Sequence, residues 1–105
     1  MGSIKVYYSS VTGSREVRQR QAEVRRILEG NRLRYELIDV SVSEGRLREM
    51  RDKAGDPQAM PPQICNGDQY CGDFEMLYQA TENEEVPKFL KMTSADKPVR
   101  EEIAI

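Results

Sequence analysis

The chain has 105 residues, 38% of them hydrophobic, which allows one domain with a modest core. Sixteen basic against eighteen acidic residues leave a formal charge of -2, without the basic excess of a nucleic-acid or anionic-membrane binder. Histidine is absent, which removes the commonest general base and metal ligand, and no run has the apolar length that spans a bilayer. No catalytic residue, metal or membrane insertion is therefore expected. Two cysteines, with no apolar leader after Met1, point to a reducing compartment and free thiols, hence to a cytoplasmic protein.

Residues 4–9 are β-branched and aromatic, the composition of a first strand. A loop follows in which Thr12 or Ser14 can cap a helix over 15–28, whose apolar positions Val17, Val24, Ile27 and Leu28 recur at helical spacing. Gly30-Asn31 stops it. Residues 33–40 read as a second strand, nearly continuous in apolar content, and strand, helix, strand at this spacing is a right-handed parallel βαβ unit. A second helix over 44–54, capped by Ser41 or Ser43, turns Leu47, Met50 and Ala54 inward, and Gly55-Asp56-Pro57 ends it.

Pro61-Pro62 then imposes an extended approach and removes two backbone donors. Ile64-Cys65 and 69–71 flank Asn66-Gly67, a signal for a hairpin with a type I′ turn. Gly72-Asp73 offers a joint and an N-cap for a third helix over 73–81 that packs Phe74, Leu77 and Tyr78. A short fourth helix, with Pro87 in its first turn, faces Phe89, Leu90 and Met92 inward. The order β-α-β-α-β-β-α-α predicts an α/β protein of thioredoxin/glutaredoxin-like fold: a four-stranded mixed sheet covered by helices over residues 1–92. Residues 93–105 are a polar C-terminal tail.

Ser10-Val11-Thr12-Gly13-Ser14-Arg15-Glu16, Pro61-Pro62-Gln63-Ile64 and Asn66-Gly67-Asp68-Gln69-Tyr70-Cys71-Gly72-Asp73 resemble the SH3-domain-binding glutamic-acid-rich-like family, its short third member above all. With the spacing between these runs the resemblance covers about residues 4–92. It implies a glutaredoxin-like fold, residence in the cytosol and also the nucleus, no catalytic cysteine motif, and a role in modulating glutaredoxin or in protein interaction. Compared with glutaredoxins, Pro62 matches the cis-proline, Cys71-Gly72 falls on their Gly-Gly, and Thr12 to Arg15 occupy the place of Cys-x-x-Cys without a cysteine. Their lysine before that motif is replaced by Ser9-Ser10, and Phe74, flanked by Asp73 and Glu75, falls where their glutathione-binding aspartate stands.

The residues allow few chemical roles. Cys71, beside a helix N-terminus, is either an activated thiol or a small residue filling a tight joint, and filler is the simpler account. Cys65 reads as a buried structural thiol. A two-residue hairpin loop places the two on opposite faces of the sheet, which argues against a disulfide, whereas a three-residue loop would change that. Pro57, Pro61 and Pro62 are not three apart, so the PxxP pattern of an SH3 ligand is missing. The loop before the first helix, with Arg15, serves either as an anion cradle or as ordinary capping.

The expected protein is a monomeric, non-enzymatic binding module with protein partners and no cofactor beyond weak glutathione binding. Its groove would comprise Thr12, Gly13, Ser14, Arg15, Pro62, Gln63, Cys71, Gly72 and Asp73, with the backbone of Gln63 pairing to a bound peptide. A weak monothiol oxidoreductase using Cys71 and a cytoskeletal adaptor are the alternatives.

Overall fold

A computed structural model describes residues 3–92, and the expected tail at 93–105 lies outside them. The elements are β1 (Ile4–Tyr8), α1 (Arg15–Gly30), β2 (Tyr35–Asp39), α2 (Glu44–Ala54), β3 (Gln63–Asn66), β4 (Gln69–Asp73), α3 (Phe74–Glu82) and α4 (Val86–Phe89). The sheet order is β2-β1-β3-β4. β1 runs parallel to β2 and antiparallel to β3, and β3 antiparallel to β4, so the expected four-stranded mixed sheet forms.

The alternation of side chains along β1 divides the interior in two. Ile4 and Val6 face a cluster with Val24, Leu28, Leu77 and Leu90, from α1, α3 and the end of α4. Tyr7 faces the other side, with Ile38, Met50 and Cys65, under α2. The inward stripe expected for α1 is buried at all four positions.

Local chemistry sets the element ends. Ser14 caps α1 and Ser43 caps α2, each accepting a hydrogen bond from the backbone N–H three residues on. α1 reaches Gly30, two residues past its expected end, and the left-handed residue that closes it is Arg32, at φ 59°. Leu33 N–H donates to the Leu28 carbonyl and Arg32 N–H to that of Glu29, a Schellman closure in which Leu28 and Leu33 also touch the same core.

Three expectations need correction. The hairpin turn lies one residue later: Asn66 pairs with Gln69, so Gly67 and Asp68 are its central residues. Of these only Gly67 has positive φ (60°), which is the place a type II′ turn reserves for glycine. Tyr78 is exposed, and Ala80 takes the inward position on α3, since 77 and 80 lie one turn apart. β2 is shorter than expected and mostly uncovered, with Glu36 and Leu37 exposed, because it is the outer strand of the sheet.

Candidate functional site

The register gathers three chain segments at one end of the sheet. Tyr7 stands opposite Gln63, and Gln63 opposite Asp73. The loop after β1, the Pro61-Pro62 turn before β3 and the Gly72-Asp73 corner at the end of β4 therefore lie together.

The loop is held by its own hydroxyls. Thr12 Oγ1 accepts the Ser14 N–H at 3.2 Å, Ser14 Oγ accepts the Val17 N–H at 3.2 Å, and Arg18 Nη1 donates to the Thr12 carbonyl at 3.1 Å. Capping thus uses both hydroxyls, while Gly13 and Arg15 remain exposed. Behind the loop, Gln21 is buried on α1. Its Oε1 accepts the Ser9 N–H at 2.8 Å and its Nε2 donates to the Ser9 carbonyl at 3.2 Å. Sequence reasoning missed Gln21, although it stands four residues after Val17 and three before Val24, within the inward stripe.

The Pro61–Pro62 peptide bond is cis, and both prolines are buried. Gln63 is buried too. Its Nε2 donates to the Met60 carbonyl at 2.7 Å, and its Oε1 accepts the Tyr70 hydroxyl at 2.6 Å, tying the proline turn to β4. Burial and then the Asp73 carboxylate push the Tyr70 hydroxyl up to about 12. The expectation that the Gln63 backbone pairs with a bound peptide does not fit this placement. Gln63 lies between Tyr7 of β1 and Asp73 of β4, so a strand already stands on either side of it, and the two prolines carry no N–H to offer in its stead.

At the corner, Gly72 has φ 154°, and a Cβ there would meet Phe89 Cε1 at 2.7 Å and Met76 Sδ at 2.8 Å. Only glycine fits on both counts. Asp73 caps α3, its Oδ1 accepting the Met76 N–H at 3.1 Å. Cys71 and Cys65 are free, buried and in separate clusters on opposite sides of the sheet, as parity requires. Burial, then the neighbouring Cys65, push the Cys71 thiol up to about 11, against a smaller opposing pull from Lys91. Burial likewise raises Cys65. The helix terminus beside Cys71 does not activate it: desolvation wins.

The end of the sheet therefore presents a capped loop, a cis-proline turn and a glycine corner, with both thiols withdrawn beneath. Among the described residues no group of three or more cysteine, aspartate or glutamate side chains is placed to hold a metal ion, and no helix is long and apolar enough to cross a membrane.

These features define a thioredoxin/glutaredoxin-like fold whose first-helix loop carries no cysteine. The fold is shared with the actin-interacting protein Aip5 of C. albicans, at a TM-score of 0.73 and 23% identity over 88% of this chain and 91% of that one. It is shared with a Brucella melitensis glutaredoxin (TM-score 0.62, 22% identity, 87% and 90% covered) and with a buckwheat glutaredoxin solved with glutathione (0.63, 12%, 86% and 77%). The chain belongs to the family described as SH3-binding, glutamic acid-rich protein, whose model matches residues 2–93. A Drosophila melanogaster protein named SH3 domain-binding glutamic acid-rich protein homolog is 33% identical to it over 89% of this chain. The chain spans 66% of that relative's length.

Proposed function

We propose that this chain is a non-catalytic glutaredoxin-like binding protein that modulates glutaredoxin activity or redox signalling through contact with protein partners. The observation that carries this reading is the location of its sulfur. Thr12 to Arg15 hold no cysteine, and both thiols are buried with Cys71 raised to about 11. Thiol exchange needs an accessible thiolate, so recognition without exchange is what the site retains. The same burial disfavours the monothiol enzyme.

Binding through an SH3-ligand motif has no support in Pro61 and Pro62, because both are buried and one bond apart. Actin is a reasonable first partner to try, given the fold shared with an actin-interacting protein. The test has three arms. Reduction of a glutathione mixed disulfide by the wild type, lost in Cys71→Ser, would overturn the non-catalytic reading. Amide NMR shifts on adding reduced glutathione, confined to Thr12–Arg15, Pro62–Gln63 and Cys71–Asp73, would define the groove as a weak ligand site. A partner pull-down that survives mutation of Pro62 and Gly72 would move recognition to another face.

A further inference from the structure

Away from that groove, β2 is an outer strand left mostly uncovered. β2 has one neighbour, β1, so among the described residues its other edge is unpaired. Neither proline nor lysine nor a bulge interrupts Tyr35–Asp39, and the charges on this short edge strand are Glu36 and Asp39. Beside it is a cleft of about 340 Å³ between α1 and the sheet, with Val6, Ala22 and Leu37 among its apolar walls and the Arg18 and Arg25 side chains at its rim.

Among the described residues no carboxylate lines this cleft, although acidic residues outnumber basic ones in the chain. Two of the nearby acids are engaged, and Glu36 lies on the opposite face of β2 by alternation. Glu29 accepts the Tyr35 hydroxyl, and Asp39 Oδ1 accepts Ser41 Oγ at 2.6 Å and the Ser10 N–H at 3.2 Å. The arginines are hardly used. Arg18 Nη1 donates to the Thr12 carbonyl and Arg25 Nε to the Tyr35 hydroxyl at 3.4 Å, out of five N–H groups on each guanidinium.

We propose that the β2 edge, with Arg18 and Arg25 above it, takes an extended acidic segment of a partner protein as an added strand. The geometry states the pattern. Arg18 and Arg25 are two helical turns apart, about 10 Å along the axis. Arg25 stands at the Tyr35 end of β2 and Arg18 at the end where the chain from β1 turns through Ser10 to Asp39. Tyr35, Leu37 and Asp39 share one face of β2 by alternation, and four residues of strand span about 13 Å. A strand laid along this edge therefore puts a carboxylate near each arginine when acidic residues are four apart, with an apolar residue between them resting on Leu37. Main-chain pairing supplies affinity and the charges supply selectivity. Asp39 at the far end opposes the second carboxylate, so it limits binding. This surface shares none of the groove residues, and its failure leaves the preceding proposal untouched.

The test uses the full chain, labelled for amide NMR, and a short capped peptide with a glutamate two residues to each side of a central valine and threonine elsewhere. The expected result is shifts over Tyr35–Asp39 and at Arg18 and Arg25, weakened by salt. Arg18→Gln or Arg25→Gln should each weaken binding about three- to fivefold, Asp39→Asn should strengthen it, and the glutamine version of the peptide should bind no better than the double arginine variant. A peptide N-methylated on its edge-facing amides should lose binding. Absence of shifts at millimolar peptide, equal binding of the glutamine peptide, or shifts centred on α3 and α4 overturns the proposal. So does a protein-concentration dependence of the β2 amides without peptide, which would make this edge a contact between two copies of the chain.

Discussion

Gln21 closes both hydrogen bonds of Ser9, accepting its N–H at 2.8 Å and donating to its carbonyl at 3.2 Å. Ser9 is the first residue beyond β1, where the sheet ladder no longer serves the backbone, and the Gln21 amide serves it instead. A buried glutamine so placed fixes where the loop to α1 leaves the sheet. Gln21→Ala strands two backbone groups and should cost about 1–3 kcal/mol. For a domain of this size that corresponds to a fall of several degrees or more in Tm. Gln21→Leu should be no better, since the loss is polar and not volumetric. Calorimetry on both variants checks this, and an unchanged Tm would mean that water replaces the amide at no cost.

Periodic and punctuated features were legible in the sequence; features that depend on distant neighbours were not. Val17, Val24, Ile27 and Leu28 announced the buried face of α1, and Ser14 and Asp73 announced caps, because each is decided within a few residues. Pro62 and the β-α-β-α-β-β-α-α order followed from punctuation and resemblance. The apolar content of 33–40 predicts a longer second strand than Tyr35–Asp39 and does not show that it is an outer one, because an outer strand differs from a central one only in its neighbours, which the local sequence does not contain. Tyr78 was misplaced because one helical turn offers 77, 78 and 80 as inward positions and tertiary packing chose Leu77 and Ala80. The groove segments lie together, but the engagement of Gln63 with Met60 and Tyr70 spans a loop and a strand, and no local signal carried it.

Gly72 supports the corner by lacking a side chain. The φ of 154° disfavours any other residue, and a Cβ would intrude on Phe89 and Met76 at under 3 Å. Gly72→Ala should destabilise by about 1–3 kcal/mol. Combining it with Phe89→Ala should return only part of that cost, since the backbone conformation remains and a core contact is lost. Denaturant midpoints of the single and double variants measure both contributions. A double variant as stable as Phe89→Ala alone would show that the clash, and not φ, dominates.

The two cysteines should be slow to react while the protein is folded. With Cys71 at about 11, its thiolate fraction at pH 8 is on the order of a thousandth, against roughly a quarter for a free thiol. Labelling by a small thiol reagent should therefore lag a free-thiol standard by on the order of a hundredfold, and burial slows it further. Both sites should label promptly in denaturant. Rapid labelling of Cys71 in the native state would reopen the oxidoreductase reading, and mass spectrometry of the labelled peptides identifies the site.

Asp39 should give the fold an acid-sensitive contribution. The hydroxyls of Ser10 and Ser41, with their backbone N–H groups, hold its carboxyl at about 2, below the ordinary 3.8. A depressed folded-state value stabilises the protein above the unfolded value, and the contribution is lost as pH falls from about 4 through about 2. The side chain is only partly covered, so solvent screening reduces the effect to about 1 kcal/mol at neutral pH. Asp39→Asn should thus be less stable than wild type at pH 7, and the gap should close near pH 2. Urea midpoints for both proteins across that range test it. A gap constant with pH would mean that the asparagine disturbs packing, and that the carboxylate charge contributes nothing to holding Ser10 and Ser41 together.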